Sequence, residues 1–295
     1  MKVLIFGAAG QLGRALCAEY AERAQVTEAD LSGVPVRCDI TDASRVRTLM
    51  NEVRPTLVFH LAAMHDLPDC EARPEAAFAV NAIATRHIAE ACADLHARLV
   101  FISTDYVFDG AKGKPYTEAD PPKPLNTYGI SKAAGEMAAP AYCADCLVVR
   151  TAALYGLTPC HGKKGRNFIT LMESLAAEQK EIRVVTDEIT TPTYVAPLAR
   201  QLRLLAEKGE PGIYHATCQG QCSWYEFAVA VFAALGQNVK VTPTTSAERQ
   251  SPLRRPAYSV LENAHLRSVG LDVMPHWREA LDQYFADRSR MLHNA

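Results

Sequence analysis

The sequence predicts an α/β fold in which a doubly wound parallel sheet is joined to a smaller C-terminal α/β lobe. Short apolar runs alternate with longer helical patterns in the first half of the chain, which is typical of successive βαβ units. The first apolar run leads directly into a glycine-rich turn and then into a helical pattern. The alternation weakens after residue 152, and this change indicates a second lobe.

The predicted strands are short apolar runs rich in β-branched residues, and the predicted helices follow the 3.6-residue apolar period. The strands span residues 3–6, 57–61, 99–103, 147–150 and 182–185. The helices span residues 11–24, 43–53, 74–94, 127–139, 167–179, 224–235 and 277–287. A loop at 161–165 and a polar, proline-rich segment at 242–256 interrupt the second half.

The composition indicates an ordinary globular protein. The chain has 295 residues, of which 48% are hydrophobic and 22% charged, and its formal net charge is -2. So small a net charge gives no electrostatic attraction to nucleic acid. The apolar N-terminal run is too short for a signal peptide, and no later segment has the length of a membrane span. We therefore expect a cytoplasmic protein with no nucleic-acid or membrane partner.

Nine cysteines are scattered through the chain. An odd number in a chain of this size suits a reducing compartment, so we expect most of them to be small buried apolar residues. Cys143 and Cys146 form a CxxC pair, and with Cys218 and Cys222 they would make a redox or zinc site if folding brought them together. No other cluster of His, Cys and carboxylate residues has metal-ligand spacing, so no bound metal is predicted.

A glycine-rich turn follows the first predicted strand. Gly7, Gly10 and Gly13 are spaced G-x-x-G-x-x-G, and the turn opens the first predicted helix. Glycines in this context allow a close backbone approach to a pyrophosphate, whose charge the amides and the helix dipole stabilise. The alternative is a tight turn without a ligand. We predict a Rossmann-type dinucleotide-binding domain that contacts its cofactor through Gly7, Gly10, Gln11, Leu12 and Gly13.

The cofactor is predicted to be NADH or NADPH. Asp30 ends the second strand, roughly 20 residues beyond the glycine turn, where a carboxylate binds the adenosine ribose hydroxyls and favours NADH. Arg14 and Arg37 would attract the 2′-phosphate of NADPH, so both cofactors stay open.

The predicted elements divide the chain into two domains. Residues 1–152 form the dinucleotide-binding domain, and residues 187–215 return to it. Residues 153–186 and 216–295 form the smaller substrate-binding lobe.

Tyr128 and Lys132 are four residues apart and therefore lie on one face of the predicted helix. A neighbouring cation lowers the pKa of a phenol, which is ordinarily about 10, and makes Tyr128 a proton donor to a reduced carbonyl. Lys132 is also placed to hold the nicotinamide ribose. Thr104 ends an apolar strand, where its hydroxyl faces the ligand crevice and binds the substrate oxygen. By itself, the Tyr-x-x-x-Lys spacing is also found in solvated pairs on surface helices.

With these motifs, the chain resembles the dTDP-4-dehydrorhamnose reductases, which are RmlD-like members of the extended short-chain dehydrogenases/reductases. The resemblance runs almost from end to end. The matching segments are residues 6–13, 80–82, 102–110, 124–129, 166–168, 191–194, 223–227 and 254–259. The family's catalytic Thr, Tyr and Lys correspond to Thr104, Tyr128 and Lys132.

The resemblance implies reduction of the 4-keto group of a dTDP-linked 6-deoxyhexose, which is the last step in making dTDP-L-rhamnose. It also implies that this sugar nucleotide is the small-molecule partner. Homodimers are common in this enzyme class, but the oligomeric state stays open. The implied cofactor contacts extend to Asp39, Ile40, Ala62, Ala63 and Met64. The implied substrate contacts are Thr104, Asp105, Ala153, Asn167, Arg254 and Arg255. The two arginines would clamp the diphosphate by bidentate hydrogen bonds, whereas the alternative is a solvated turn.

Two departures from the family leave the identity of the sugar open. Residues 64–69 replace a Tyr-Thr-x-Val-Asp-Lys run, and Ala153 stands where the family commonly places a tryptophan that contacts the sugar. His65 lies in the first departure. We expect it to pack or to contact the cofactor rather than to act as an acid or base.

Three alternatives remain within or beside this family. Dehydratases of similar sequence have Asp-Glu after the catalytic threonine, but Asp105-Tyr106 stands here and disfavours elimination. Epimerisation uses the same triad and stays open. A non-catalytic regulatory subunit, similar to the β subunit of methionine adenosyltransferase, also resembles the family, although the intact triad disfavours it. Some relatives hold magnesium at a dimer interface, but no full ligand set is recognisable here.

Overall fold

The computed structural model describes residues 1–159, 165–178 and 181–293. Most of the predicted 161–165 loop and the last residue of the predicted 167–179 helix lie outside these ranges.

Within these ranges, seven strands form one parallel sheet, and six further strands form three separate pairs. The thirteen strands are β1 (Lys2–Phe6), β2 (Gln25–Asp30), β3 (Val36–Arg37), β4 (Leu57–His60), β5 (Arg98–Thr104), β6 (Cys146–Thr151), β7 (Leu154–Tyr155), β8 (Glu181–Val185), β9 (Ile189–Thr190), β10 (Thr193–Tyr194), β11 (Gly212–His215), β12 (Cys222–Ser223) and β13 (Lys240–Thr244). The main sheet has the order β11-β6-β5-β4-β1-β2-β3, and all its neighbours are parallel.

Helices cover both faces of this sheet. They are α1 (Gln11–Tyr20), α2 (Ala43–Val53), α3 (Leu67–Ala72), α4 (Pro74–Phe78), α5 (Ala84–Asp94), α6 (Thr127–Tyr142), α7 (Phe168–Glu178), α8 (Val195–Lys208), α9 (Trp224–Ala234), α10 (Ser246–Arg249), α11 (Ala264–Ser268) and α12 (Trp277–His293). Successive residues of β1 enter opposite cores: Val3 and Ile5 pack with α1 and α8, whereas Leu4 and Phe6 pack with α2 and α5. The predicted α/β fold with a doubly wound parallel sheet is therefore confirmed.

The helices predicted for 127–139 and 277–287 extend further, to Tyr142 and His293, and two other predicted helices are shorter or interrupted. The helix predicted for 11–24 ends at Tyr20, because the amides of Arg23 and Ala24 both turn back to the Tyr20 carbonyl before β2 begins. The helix predicted for 74–94 is interrupted by a π-helical segment, Ala79–Ile83, between α4 and α5. Such a segment adds one residue to a turn and often marks a functional site.

The C-terminal part of the chain contributes to both the main sheet and a separate core. β11 pairs with β6 at the sheet edge, and α8 packs on α1. A small second core joins β8 to α7 and α9 through Met172, Ile182, Val184, Ala228 and Phe232. The exact domain limits stay a prediction.

The eight cysteines in the described ranges are free thiols, and all except Cys17 are buried. Cys143 and Cys146 belong to the core on one face of the sheet, whereas Cys218 and Cys222 belong to the core on the other. The structure therefore does not bring the four thiols together. Within the described ranges, no group of three or more His, Cys, Asp or Glu residues is arranged to hold a metal ion. The same ranges contain no helix that is long and apolar enough to cross a membrane.

Candidate active site

The glycine turn joins β1 to α1 and has no room for larger side chains. Gly7 has a φ of +85°, and a Cβ atom there would lie 2.6 Å from the Ala62 nitrogen. A Cβ atom on Gly13 would lie 2.3 Å from the Gly7 carbonyl oxygen. Gly10 precedes α1 without a side-chain cap, so the first amides of the helix stay available to an anion. These features fit the pyrophosphate of a dinucleotide.

The other predicted cofactor residues lie around this turn. Leu12 lines the ligand cavity described below. Gln11 also fixes the residues 156–158 beside this cavity, because its Nε2 donates to the carbonyl oxygens of Gly156 and Thr158 at 3.2 and 2.7 Å. One oxygen of Asp30 accepts a 3.0 Å hydrogen bond from the Ala9 amide inside the turn. Asp30 therefore also braces the glycine turn.

Asp39 and Ile40 follow β3, which is the last strand at one end of the main sheet. Asp39 is exposed and accepts hydrogen bonds from the amide and hydroxyl of Thr41, whereas Ile40 is buried. Neither residue lines the main cavity within the described ranges. Their assignment to the adenine stays a prediction.

Residues 62–64 lie against the glycine turn and are fixed by Asn81. Ala63 and His65 line the cavity, and Ala62 touches Gly7 through its backbone. The Asn81 side chain accepts from the Met64 amide at 2.9 Å and donates to the Met64 carbonyl at 2.8 Å. The first departure from the family pattern thus begins in a tightly held segment and continues into α3.

Asn81 belongs to the π-helical segment and connects three parts of the site. Its Nδ2 also donates to the Ser131 hydroxyl at 2.9 Å, within the Tyr-x-x-x-Lys segment. Its carbonyl accepts a 2.9 Å hydrogen bond from Thr85, whose oxygen in turn lies 3.0 Å from His60 Nε2. Asn81 is fully buried. Sequence reasoning placed Asn81 in a matching segment but did not identify this role, because a π-turn has no local signature in the sequence.

Thr104 and Tyr128 meet at the carboxyl edge of the sheet. Thr104 ends β5, and Tyr128 lies in the first turn of α6, which Asn126 caps by accepting from the Gly129 amide at 2.9 Å. A Cβ atom on Gly129 would lie 2.2 Å from the Tyr106 carbonyl, so glycine lets α6 approach the turn after β5 closely. The Thr104 hydroxyl donates to the Asp105 carboxylate at 3.0 Å and lies near enough to Tyr128 to lower the pKa of the phenol.

The expected effect of Lys132 on Tyr128 is wrong for this structure. Burial raises the pKa of Tyr128, and Asp105 raises it further, while Thr104 lowers it. Lys132 instead donates to the Ile102 carbonyl at 2.6 Å and lies 4.0 Å over the Phe101 ring. Burial lowers the pKa of Lys132 to about 7, although Glu136 raises it. The lysine is therefore only partly charged at neutral pH, and its ammonium group is directed at the Ile102 carbonyl.

One cavity of about 290 Å³ contains most of the predicted site. We call two of its sides the sheet wall (Thr104, Tyr128 and Lys132) and the lobe wall (Phe168, Glu188, Thr190 and Trp224). Asp105, Ala153 and Asn167 also line it, as predicted for substrate contacts, and Ala153 has a φ of +46°.

The two predicted diphosphate-binding arginines do not line this cavity. Arg254 is exposed, and its carbonyl accepts from Asn126 at 2.9 Å. Arg255 donates to the Ser251 hydroxyl at 3.0 Å. Their role stays a prediction.

Sequence reasoning did not assign the lobe wall. Phe168 and Trp224 form an aromatic pair with ring centroids 4.6 Å apart, and both belong to segments that match the family. Glu188 precedes another such segment. Buried hydroxyls without a partner in the described ranges also line the cavity, on Ser103, Thr151 and Thr190. Such hydroxyls indicate a polar ligand.

Comparisons with known proteins agree with this site. A model of the RmlD substrate binding domain family matches residues 1–290. The dTDP-4-dehydrorhamnose reductase of Streptomyces griseus is 39% identical over 289 residues, which are 96% of this chain and 92% of that protein. The match covers both the sheet and the lobe.

Two solved structures are similar along the whole chain. A dTDP-4-dehydrorhamnose reductase from Clostridium acetobutylicum superimposes with a TM-score of 0.92 at 38% identity and covers 98% of this chain and 100% of its own. A dTDP-4-dehydrorhamnose reductase from Bacillus anthracis in complex with NADP has a TM-score of 0.91 at 37% identity, with 97% and 99% covered. The resemblance inferred from the sequence motifs is confirmed. The chain belongs to the RmlD substrate binding domain family.

Proposed function

We propose that the protein is an NAD(P)H-dependent reductase of the 4-keto group of a nucleotide-linked 6-deoxyhexose, with dTDP-4-dehydrorhamnose as its substrate. The observation that carries this proposal is that Thr104, Tyr128 and Lys132 line the same cavity as the glycine turn. Two adjacent hydroxyls there can bind one carbonyl oxygen while a dinucleotide lies along the sheet edge. The names of the similar proteins support the same reaction class.

Each residue of the sheet wall has a distinct task in this proposal. The bound nicotinamide cofactor supplies a hydride to the carbonyl carbon. Tyr128 donates its phenolic proton to the oxygen, and its raised pKa keeps that proton in place at neutral pH. Thr104 donates a hydrogen bond to the same oxygen as negative charge develops. Lys132, which lies one helical turn after Tyr128, holds the nicotinamide ribose.

We propose that both NADH and NADPH are accepted. Asp30 supports NADH because a carboxylate binds ribose hydroxyls and repels a phosphate. Arg37 is exposed next to β2 and supports NADPH, as does the NADP complex of the Bacillus anthracis protein.

We further propose a cytoplasmic homodimer. The free thiols of the described ranges suit a reducing compartment. Ile83, Met137 and Tyr142 are exposed apolar side chains on and beside the packed helices α5 and α6, and they support an interface there. Sedimentation velocity measures the oligomeric state directly.

The test is oxidation of NADH or NADPH with dTDP-4-dehydrorhamnose, with the product identified by NMR. We expect turnover and a reduced sugar. In Tyr128→Phe the donated proton is lost, so kcat falls by about 10²- to 10⁴-fold, whereas cofactor affinity, measured by fluorescence titration, changes little. Near-normal turnover by the variant would refute Tyr128 as the proton donor.

Other results would favour the alternatives. A sugar isomer formed without net cofactor oxidation indicates epimerisation. Absence of any turnover, together with tight binding to another enzyme, indicates a regulatory subunit.

A further inference from the structure

Glu188 is a carboxylate that is almost completely buried in the lobe wall. Its exposed fraction is 7%, and it lines the cavity between β8 and β9. A buried carboxylate is costly unless hydrogen bonds compensate it. Only one is present in the described ranges: Oε1 accepts from the Ser246 hydroxyl at 3.2 Å. The second oxygen, Oε2, is therefore available to a ligand.

The backbone around Glu188 is held on both sides. The Asp187 carboxylate accepts from the Ser246 amide at 2.9 and 3.0 Å. The Ile189 amide donates to the Ala257 carbonyl at 2.8 Å, and the Ile189 carbonyl accepts from Ser259 at 2.8 Å. Glu188 is thus positioned before any ligand arrives, as a binding group requires.

Glu188 lies close enough to the sheet wall to act on the same ligand. Burial raises the pKa of Tyr106; the charges of Asp105 and Glu188 raise it further, while that of Arg255 lowers it. The Tyr106 ring centroid is 6.0 Å from that of Tyr128. Glu188 and Asp105 therefore lie at the end of the cavity where Tyr128 lies.

A carboxylate oxygen accepts hydrogen bonds, so the Oε2 atom of Glu188 favours a ligand that carries hydroxyl groups. A 4-keto-6-deoxyhexose joined to a nucleotide through C1 carries its hydroxyls on C2 and C3. The Thr190 hydroxyl, which has no partner in the described ranges, lies two residues away and adds a second polar group to this wall.

We propose that Glu188 binds a C2 or C3 hydroxyl of the hexose through Oε2 and thereby distinguishes the sugar nucleotide from the free nucleotide. The inference rests on the proposed function for the class of ligand. It places the sugar between the sheet wall and the lobe wall.

Calorimetric titration of Glu188→Ala with dTDP-L-rhamnose and with dTDP tests this assignment. We expect the Kd for dTDP-L-rhamnose to rise by about 10- to 100-fold, because a hydrogen bond to a charged group is lost. The Kd for dTDP and for the cofactor should stay within about threefold. Glu188→Gln keeps an acceptor oxygen and should show a smaller loss.

Ser246→Ala is the matched control, because it removes the only described hydrogen bond to Glu188 and leaves Oε2 unchanged. We expect it to bind dTDP-L-rhamnose like the wild type. If Ser246→Ala loses the same affinity as Glu188→Ala, or if Glu188→Ala weakens dTDP equally, Glu188 only supports the wall and the inference fails. Unchanged binding of dTDP-L-rhamnose by Glu188→Ala also overturns it.

These outcomes are separate from those of the proposed function. Wild-type turnover with an unaffected Glu188→Ala variant rejects the inference alone. Selective loss of sugar-nucleotide binding in Glu188→Ala, without turnover by the wild type, supports the inference and rejects the reductase.

Discussion

Behind the sheet wall lies a buried ion pair, whereas the lobe wall combines short strand pairings with the first residues of α7 and α9. Arg150, near the end of β6, forms two hydrogen bonds with Glu136 of α6 at 2.9 and 2.7 Å, and their side chains are 1% and 4% exposed. This pair joins the helix that carries Tyr128 and Lys132 to the main sheet.

The ion pair extends into the core through His215. Arg150 Nη1 lies 3.4 Å from His215 Nε2, and His215 Nδ1 lies 3.1 Å from the carbonyls of Tyr116 and Glu262. Because arginine only donates and carbonyls only accept, the proton is on Nδ1. Burial, followed by the charge of Arg150, lowers the pKa of His215 to about 3. The imidazole of His215 is therefore neutral, and its Nε2 accepts a hydrogen bond from Arg150.

The lobe wall has a different construction. β9 and β12 contribute two residues each, and Ile189 also pairs with Tyr258. Its side chains meet the ligand cavity directly, as the Phe168–Trp224 pair does. The residues proposed for the reaction thus lie on a strand end and on a helix that the ion pair joins to the main sheet, whereas the residues of the lobe wall lie on elements outside that sheet.

The largest expected effect comes from breaking the support of the sheet wall. Glu136→Gln leaves the Arg150 guanidinium buried without a counter-charge, which should cost about 3–5 kcal/mol of unfolding free energy. Urea denaturation measures the loss. Asp145→Asn is the control, because it removes a carboxylate from a partly exposed pair with Arg98 and should cost less than about 1 kcal/mol. Equal losses in both variants would contradict the comparison.

An intermediate effect concerns the pH dependence of stability. The pKa of Lys132 is about 7 in the folded protein and 10.5 ordinarily, so between these values the unfolded chain holds an additional proton. The free energy of unfolding should therefore rise with pH from about 7 to 8.5, by at most about 1.4 kcal/mol per pH unit. Lys132→Met should abolish this rise. Urea denaturation across this range checks it, and an unchanged slope in the variant would exclude Lys132 as its source.

The smallest effect should come from the lobe wall. Trp224→Ala removes one ring of the aromatic pair, which is worth about 0.5–1.5 kcal/mol, so KM for the sugar nucleotide should rise by about 2- to 12-fold. Steady-state kinetics should show an unchanged cofactor KM. Tyr225→Ala, on the same helix but outside the cavity, is the control and should leave both constants unchanged. A rise in cofactor KM would mean that the two walls are coupled.

The same contrast explains what the sequence could predict. The glycine turn and the Tyr128–Lys132 spacing are local patterns, and they lie at the edge that a parallel sheet provides for ligands. Thr104 was predictable because it ends an apolar run. These features can be predicted from the order of strands and helices alone.

Other features depend on contacts between distant parts of the chain. Glu188 enters the cavity because residues 246 and 257–259 hold its neighbours, and no local pattern records those contacts. The direction of Lys132 depends on the Ile102 carbonyl and the Phe101 ring, so helix spacing alone led to the wrong pKa effect on Tyr128. Arg254 and Arg255 were selected for their charge, but the loop fold keeps them outside the cavity.

Burial of the cysteines has a consequence for the chemistry of the whole molecule. Desolvation is the largest cause of a raised pKa for all eight described thiols. The pKa is about 11 for Cys70 and about 12 for Cys17, Cys218 and Cys222. The thiolate is the reactive form, so these groups are nearly inert towards oxidants and alkylating agents while the protein is folded. Opening of the fold exposes them and restores their ordinary reactivity. The rate at which these buried thiols are labelled therefore reports how often each half of the molecule opens.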